Sequence, residues 1–320
     1  MRKAIIFTLA IAILLLAGCA NQQQNVVVGS KFVGGKDGLS ITFAPGSIPD
    51  KVLDKGQPFG VSVILKNMGD HTIENGADTT VKITGVDPAD FGVTAADITQ
   101  DSPTSIRGAT VDPEGKPVAG ETVSLDFPKS GSFSHQKDIA GSVTYNVRAD
   151  VCYKYGSVAN TKLCVLEDIL GTKGTTGKLC IINEDKTVDN SGAPVQIATF
   201  RESVSSANKV AFVFQISHLG LGTVHELGSK CANDFQKKDK VHVKIDTGIS
   251  DGLTCSGLQN GAASGSAYEG DAQLLNNVRE IRCTQNINSP SDMAKLVTIT
   301  VTYDYDSYVE KNLEVYHVGQ

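Results

Sequence analysis

The residues of this chain that could carry out chemistry are spaced in ways that assemble no catalytic set. The pair His225-Glu226 lacks the second histidine that an HExxH zinc motif requires. Ser-x-x-Lys patterns begin at Ser134 and Ser206, but no Lys-Thr-Gly accompanies them, and the stretch 261–266 does not form a nucleophile elbow. We therefore predict no catalytic residues and a protein that is not an enzyme. Spacing alone leaves open a Ser/His/Asp triad built from distant residues.

Histidine and aspartate are also the residues that could hold a metal ion. His218 lies at a strand end before a glycine, so it is interpreted as a turn residue rather than a ligand. Asp304-x-Asp306, and Asp246 with Asp251, resemble the clusters that bind calcium between β-sandwich loops, but neither has EF-hand spacing. Exposed aspartates at strand ends are usually only solvated, so we predict no metal site and no cofactor. The six scattered histidines are His71, His135, His218, His225, His242 and His317.

The amino terminus indicates where the protein works. Arg2 and Lys3 precede an apolar run over residues 4–16, which closes with Leu16-Ala17-Gly18-Cys19. Segments in this order are typical of a secretory signal. The last four residues resemble a lipobox, the signature of prokaryotic lipoproteins, which implies cleavage after residue 18 and a diacylglycerol thioether on Cys19. The alternative is an uncut anchor, although the run is shorter than the roughly 20 residues of a membrane span.

The net charge and the cysteine count indicate which partners and which cellular environment to expect. The net charge is −6 and no run of lysine and arginine is dense, which argues against a nucleic-acid partner. We expect export to the outer face of a membrane, with the membrane itself as one partner through the lipidated amino terminus. An extracellular or envelope protein is expected as another. Removing Cys19 leaves six cysteines, an even number that indicates disulfides in an exported chain.

Short alternating apolar runs between Gly, Pro, Asn and Asp residues predict β-strands throughout the chain. A duplication is indicated because two such segments recur at nearly the same distance. Residues 59–69 match 210–220 at an offset of 151, and 147–165 match 297–315 at an offset of 150. Generic strand alternation explains the period of two but not the shared offset. Equivalent positions include Val61 with Phe212, Val63 with Phe214, Leu65 with Ile216, Tyr153 with Tyr303, Tyr155 with Tyr305 and Leu163 with Leu313.

A hairpin is predicted to close each of the two repeated units. Setting Cys152 opposite Cys164 centres a turn on Val158 and places apolar residues on one face and the cysteines on the other. This register predicts a Cys152–Cys164 cross-strand disulfide. Six cysteines allow many connectivities, and the other pairs expected are Cys255 with Cys283 and, by elimination, Cys180 with Cys231.

The segment 59–69, Phe-Gly-Val-Ser-Val-Ile-Leu-Lys-Asn-Met-Gly, resembles the strand–Asn-x-Gly signature of adhesion-type immunoglobulin-like domains called CARDB-like. The second copy keeps the strand and Gly220 but has His218 in place of Asn67. Residues 112–120 are similar to the start of a hairpin in many bacterial surface sandwich domains. The resemblance implies a surface spacer or adhesion module without catalytic residues.

The fold class expected is all-β, with two tandem immunoglobulin-like β-sandwich domains after an amino-terminal signal segment and a flexible tether. The signal peptide is placed at 1–18, and the lipid attachment and tether at 19–35. The first sandwich is placed at 36–168, a linker at 169–191 and the second sandwich at 192–320. Each sandwich has about 130 residues, enough for a core between two sheets.

Together these observations predict a lipid-anchored cell-surface protein that binds, adheres or acts as a spacer, without catalytic activity. An alternative is a structural or accessory subunit of an extracellular envelope or pilus assembly, joined through exposed strand edges. A second alternative is an exported hydrolase with a dispersed active site.

Overall fold

The computed structural model describes residues 30–172, 179–250, 252–289 and 291–317. The predicted signal peptide and Cys19 lie outside the described residues. From Lys31 onward the chain forms one compact unit. The all-β prediction is confirmed, since strands are joined only by loops and short 3-10 turns in these ranges. None of the described helices is both long and apolar enough to cross a membrane.

The strands are numbered in chain order. They are β1 (Leu39–Phe43), β2 (Lys51–Leu53), β3 (Val61–Asn67), β4 (Thr79–Thr84), β5 (Thr99–Asp101), β6 (Thr110–Val111), β7 (Pro117–Val118), β8 (Thr122–Phe127), β9 (Ser142–Val165), β10 (Glu184–Asp185), β11 (Asp189–Asn190), β12 (Val195–Ser206), β13 (Lys209–His218), β14 (Thr223–His225), β15 (Lys240–Asp246), β16 (Thr254–Ser256), β17 (Gln259–Ser264), β18 (Ala267–Gln273), β19 (Val278–Asn286) and β20 (Met293–Tyr316). The 3-10 turns are Gly76–Asp78, Pro88–Phe91 and Phe235–Lys237.

One large sheet extends through the whole compact unit. Its order is β17-β18-β15-β20-β9-β4-β5, and we call it the shared sheet. Two smaller sheets, β1-β3-β8 and β10-β12-β13-β19-β16, belong to the amino-terminal and carboxyl-terminal halves respectively. We call the strands β1–β8 the first half and β10–β19 the second half, with β9 and β20 common to both. The buried apolar side chains of both halves form one continuous core.

The two halves repeat one topology. The strands β3 and β13, which the sequence pairs at an offset of 151, are each the central strand of a smaller sheet. In the shared sheet Val81 lies opposite Val151, and Val243 lies opposite Val301. Because 151 and 301 differ by the predicted offset of 150, β4 and β15 are equivalent strands. The duplication inferred from the sequence is therefore found in both strand order and register.

The hairpins predicted to close each unit are wrong. The strand β9 runs without a turn through Val158, and β20 is equally long. The two pair antiparallel along their whole length, with Lys154 opposite Asp304 near the middle. Alternation fixes which face a side chain takes but not which strand lies beside it, so the pattern suited this partner as well as a hairpin. Each long strand consequently passes from one half into the other.

The carboxyl-terminal end of β20 is built into the first half. Residues 314–316 pair in parallel with β2, and Lys311 Nζ donates to the Ile48 carbonyl oxygen at 2.8 Å. Beyond the strand, His317 Nδ1 lies 2.7 Å from the Asp54 carboxylate. Leu313 and Val315 are fully buried, and β1 packs against β20. The core of the first half therefore depends on the last part of the sequence.

The end of β9 is built into the second half in the reciprocal way. It packs against β12, and the fully buried Glu202 of β12 accepts a hydrogen bond from the Cys164 backbone N–H at 2.9 Å. Lys186 Nζ lies 3.2 Å from the same carboxylate. Leu163 is fully buried there, as its equivalent Leu313 is in the first half. Burial raises the pKa of Glu202 from 4.5 to about 7, against the opposing effects of the Cys164 N–H and Lys186.

Glu202 is expected to make stability fall as pH rises from about 4.5 to 7. The folded protein holds the proton more tightly than the unfolded chain, so this contribution is complete below 4.5 and is lost as pH passes the folded value. The full change is about 3 kcal/mol. Urea unfolding across this range should show the loss in the native protein and a flatter profile in Glu202→Gln. Equal pH dependence in the two proteins would contradict the assignment.

All six cysteines that follow Cys19 form disulfides, but only one predicted pair is correct. The bonds are Cys152–Cys231, Cys164–Cys180 and the predicted Cys255–Cys283. The predicted Cys152–Cys164 bond is wrong because both residues lie on one extended strand, where twelve residues span about 40 Å. Bridged cysteines need Cα atoms within about 7 Å. The assignment of Cys180 to Cys231 by elimination fails with it. Three disulfides are typical of an oxidising, extracellular environment.

Candidate functional site

A groove with several charged residues in its walls lies on the outer face of the shared sheet, where the two halves meet. One part is a cavity of about 300 Å³ with Asp70, His71 and Lys154 in its wall. An adjoining cavity of about 140 Å³ has Lys154, Lys230 and Asp304 in its wall. We call these two cavities the central groove. The larger one reaches the lower end of the volume range of small-ligand sites.

Strand alternation places the charged residues in the central groove. On β9, Tyr153 and Tyr155 point into the core, and Lys154 between them points outward and is exposed. Lys154 takes part in no ion pair within the described part of the chain. Directly opposite, the buried Asp304 carboxylate accepts a hydrogen bond from the Lys230 backbone N–H at 2.6 Å. The groove thus has a free ammonium beside a carboxylate that the protein already holds.

His71 forms a second wall of the groove. Its ring meets the Tyr155 ring edge-on, with centroids 5.1 Å apart. Burial lowers the pKa of His71, and the positive charge of Lys154 lowers it further. The imidazole is therefore neutral at pH 7 and can both donate and accept a hydrogen bond. This wall offers a polar contact without charge.

The amino-terminal segment is fixed at the rim of the groove. The Asp70 carboxylate accepts hydrogen bonds from the backbone N–H groups of Val33 and Gly34, at 2.8 and 3.1 Å. Phe32 lies in the wall of the larger cavity. The end of the segment predicted to be a tether is therefore bound next to the groove.

Three other histidines do not lie in the walls of the central groove. His218, interpreted from the sequence as a turn residue, lies with Nε2 3.0 Å from the Tyr305 hydroxyl. His242 contacts Asp271 at 2.9 Å on the shared sheet. His135 is buried in the first half beside the Tyr145 hydroxyl, at 3.1 Å. Each of these histidines has a structural partner in its own region.

His225 differs because neither of its ring nitrogens has a hydrogen-bond partner among the described residues, although the side chain is 2% exposed. Its pKa is lowered, chiefly by burial. It lies opposite Asp304 in the β14–β20 pair. The loop that follows β14 carries Cys231, which the disulfide to Cys152 fastens against β9. His225 is thus a neutral side chain beside the groove, next to a disulfide-fastened loop.

The aspartates considered as calcium ligands do not form a cluster. Asp304 is buried at the groove, and burial raises the pKa of Asp306, with Asp150 adding to the rise. The Asp246 carboxylate accepts from the Gly248 backbone N–H at 2.9 Å. Asp251 lies outside the described residues. Across the described ranges no group of three or more His, Cys, Asp or Glu side chains could hold a metal ion.

One Gly-x-Ser-x-Gly pattern does occur, at residues 248–252. It follows β15 and leads to the strand β16, whereas a nucleophile elbow leads from a strand into a helix. Ser250 lies at a separate cavity of about 270 Å³, whose described wall contains Ile249, Ile287 and Met293 but no histidine. Among the described residues, Ser250 is therefore not followed by the helix, and does not lie beside the histidine, that a hydrolase nucleophile has.

One feature of the sequence indicates two residues of the groove, but the hairpin prediction did not use it. Lys154 and Asp304 occupy equivalent positions, separated by the offset of 150, and carry opposite charges. Two equivalent strands that pair antiparallel about a local two-fold axis bring equivalent residues together at that axis. Pairing β9 with β20 would have placed these two residues side by side. The contribution of Asp70 and His71 depends on loop packing, and no pattern in the sequence indicates it.

Comparison with known proteins identifies no family. No protein-family model matches the chain, and no curated protein matches it. Among solved structures, the secreted serine protease VesC from Vibrio cholerae aligns at 10% identity and a TM-score of 0.17. The alignment covers 83% of this chain and 50% of that one, so the chain spans half the length of the protease. A likeness this weak carries no argument about fold or function.

Proposed function

We propose that the protein is an exported, lipid-anchored surface module that binds an extracellular or envelope protein through the central groove. The observation that carries the proposal is the exposed Lys154, which has no ion-pair partner among the described residues and lies where the two halves meet, beside the Cys152–Cys231 disulfide. A free ammonium between a neutral imidazole and a held carboxylate suits a polar partner segment. The lipobox resemblance at residues 16–19 supports attachment to the outer face of a membrane.

The rigidity of the surroundings supports a role in binding or spacing. The continuous pairing of β9 with β20 joins the halves through a ladder of 24 residues per strand rather than through a linker. Such a ladder fixes the backbone positions of Lys154 and Asp304 before a partner arrives. Preorganisation of this kind lowers the entropic cost of association.

Reversing the charge of Lys154 is expected to weaken partner binding by about tenfold, which corresponds to about 1.4 kcal/mol. The test is quantitative pull-down from intact envelopes with the acylated chain carrying Lys154→Glu. The matched control is Lys162→Glu, an exposed lysine on the same strand that lies outside the groove. Equal recovery of partner by both variants would contradict a binding role for the groove, and mass analysis of Cys19 tests the anchor separately.

A structural role in an extracellular assembly is the second candidate, supported by β17. This strand is the outer edge of the shared sheet, all six of its residues are exposed, and it carries no charged side chain. Uncharged free edges can accept a strand from another chain. The substitution Ala262→Lys, which places a charge on this edge and opposes strand addition, should abolish assembly if this candidate is correct.

A further inference from the structure

An apolar patch lies where the loops of the two halves come together. Its side chains are Met68, Leu219, Leu221 and Leu275, which we call the leucine patch. Their exposed fractions are 42, 45, 103 and 60%, respectively. Single exposed apolar residues need no explanation, but several on adjoining loops indicate a contact surface.

Backbone hydrogen bonds show that these loops are neighbours. Met68 N–H donates to the Gly38 carbonyl oxygen at 2.8 Å, and Leu219 N–H donates to the Pro194 carbonyl oxygen at 2.7 Å. Gly38 in turn packs directly against the Pro194 ring. The loops of the first and second halves therefore share one support.

The turn that carries Leu275 adjoins the same support. Its Asn277 carbonyl oxygen accepts a hydrogen bond from the His218 backbone N–H at 2.8 Å, next to Leu219. The loop segments 67–69, 192–194, 217–222 and 274–278 contain no Asp, Glu, Lys or Arg. The patch segments themselves are thus uncharged, although Lys66, Asp70 and Asp37 lie directly beside the patch segments and Gly38.

The first described residues of the amino-terminal segment lie at this place. The Asp70 carboxylate, two residues after Met68, holds the Val33 and Gly34 N–H groups, and Gly35 accepts from Ala193 N–H at 3.2 Å. Fourteen residues separate Cys19 from Val33, a reach of at most about 50 Å. The chain from a lipid on Cys19 would therefore join the compact unit beside the patch.

We propose that the leucine patch rests on the bilayer that holds the anchor, with the leucine side chains inserted at the level of the lipid headgroups. The proposal rests on the lipid anchor of the proposed function and adds a second membrane contact. The diacylglycerol expected on Cys19 supplies two acyl chains, which hold the protein on the membrane, and the patch adds apolar contact area. The patch also sets the orientation of the protein on the membrane, because it is fixed to both halves.

The absence of tryptophan from this chain provides a clean test. A single tryptophan is placed at Leu221→Trp in the acylated full-length protein, which is reconstituted into phosphatidylcholine–phosphatidylglycerol vesicles. The matched control is Ile181→Trp, an exposed position of 61% near Val204, at the far end of β12 from Pro194. Both changes replace an exposed apolar side chain, so neither should disturb folding.

The expected result is a blue-shifted emission for Leu221→Trp that brominated lipids quench, while the control emission stays red and unquenched. A vesicle-bound, acylated Leu221→Trp protein without quenching overturns the membrane contact but leaves the anchor standing. A blue shift without quenching also overturns it, and indicates that a second protein copy covers the patch. If mass analysis finds no diacylglycerol on Cys19, the anchor fails and the membrane contact fails with it.

Discussion

Replacing Leu313 with alanine will loosen the amino-terminal half of the molecule, although this residue is close to the end of the sequence. The side chain is fully buried beside the strands of the first half, so its loss should cost about 2–5 kcal/mol. Hydrogen exchange measured by mass spectrometry should show lost protection in Leu39–Phe43 and Val61–Asn67 before the strands of the second half.

The equivalent change Leu163→Ala is the matched control for Leu313→Ala. Leu163 is just as buried, but it lies at the end of β9 that packs against β12. Its removal should loosen Val195–Ser206 of the second half by a comparable amount. If Leu313→Ala instead loosened the second half and Leu163→Ala loosened the first half, the crossing of the long strands would be refuted.

Removing the Cys152–Cys231 disulfide will produce the largest loss of stability among the three bonds. It closes a separation of 79 residues, against 16 for Cys164–Cys180 and 28 for Cys255–Cys283. The chain-entropy model gives about 4.5 kcal/mol for the first and about 3 kcal/mol for the second. Urea unfolding of the two double-serine variants, with the other bonds intact, measures the difference.

The same disulfide should also control the surroundings of His225. Without it the loop after β14 is no longer fastened to β9, so water can reach the imidazole. The pKa of His225, which burial lowers, should then rise toward its ordinary value of 6.5. Titration followed by NMR would detect the change in Cys152→Ser/Cys231→Ser and not in Cys164→Ser/Cys180→Ser. An unchanged pKa in the first variant would show that the disulfide does not keep the loop closed.

The sequence was sufficient to predict the strands and the duplication, because each depends on local pattern or on a fixed offset. The structure agrees that residues 61–65 and 212–216 are equivalent, since each segment lies in the central strand of its own smaller sheet. The strand-end residues Asn67 and His218 also prove equivalent, since each lies within hydrogen-bond distance of the hydroxyl of an equivalent tyrosine, Tyr155 or Tyr305.

Strand partners could not be predicted in the same way. Residues 142–165 alternate regularly, and a hairpin or a long partner satisfies that alternation equally well. Because the Cys152–Cys164 bond was predicted from the hairpin register, that bond was wrong as well. The burial of the Glu202 carboxylate could not be predicted either. It arises because β12 packs against β9, which is distant in sequence, and the residues next to Glu202 do not indicate this contact.

The passage of β20 into the first half has a consequence for how the protein is made. Because a chain is synthesised from its amino terminus, residues 39–127 are made long before residues 311–317. The strands of the first half therefore lack the pairing of β2 with β20, and the packing of Leu313 and Val315, until the final segment has been made. Vectorial synthesis normally favours domains that mature one after another. Here the first half is complete only once the last strand has been made.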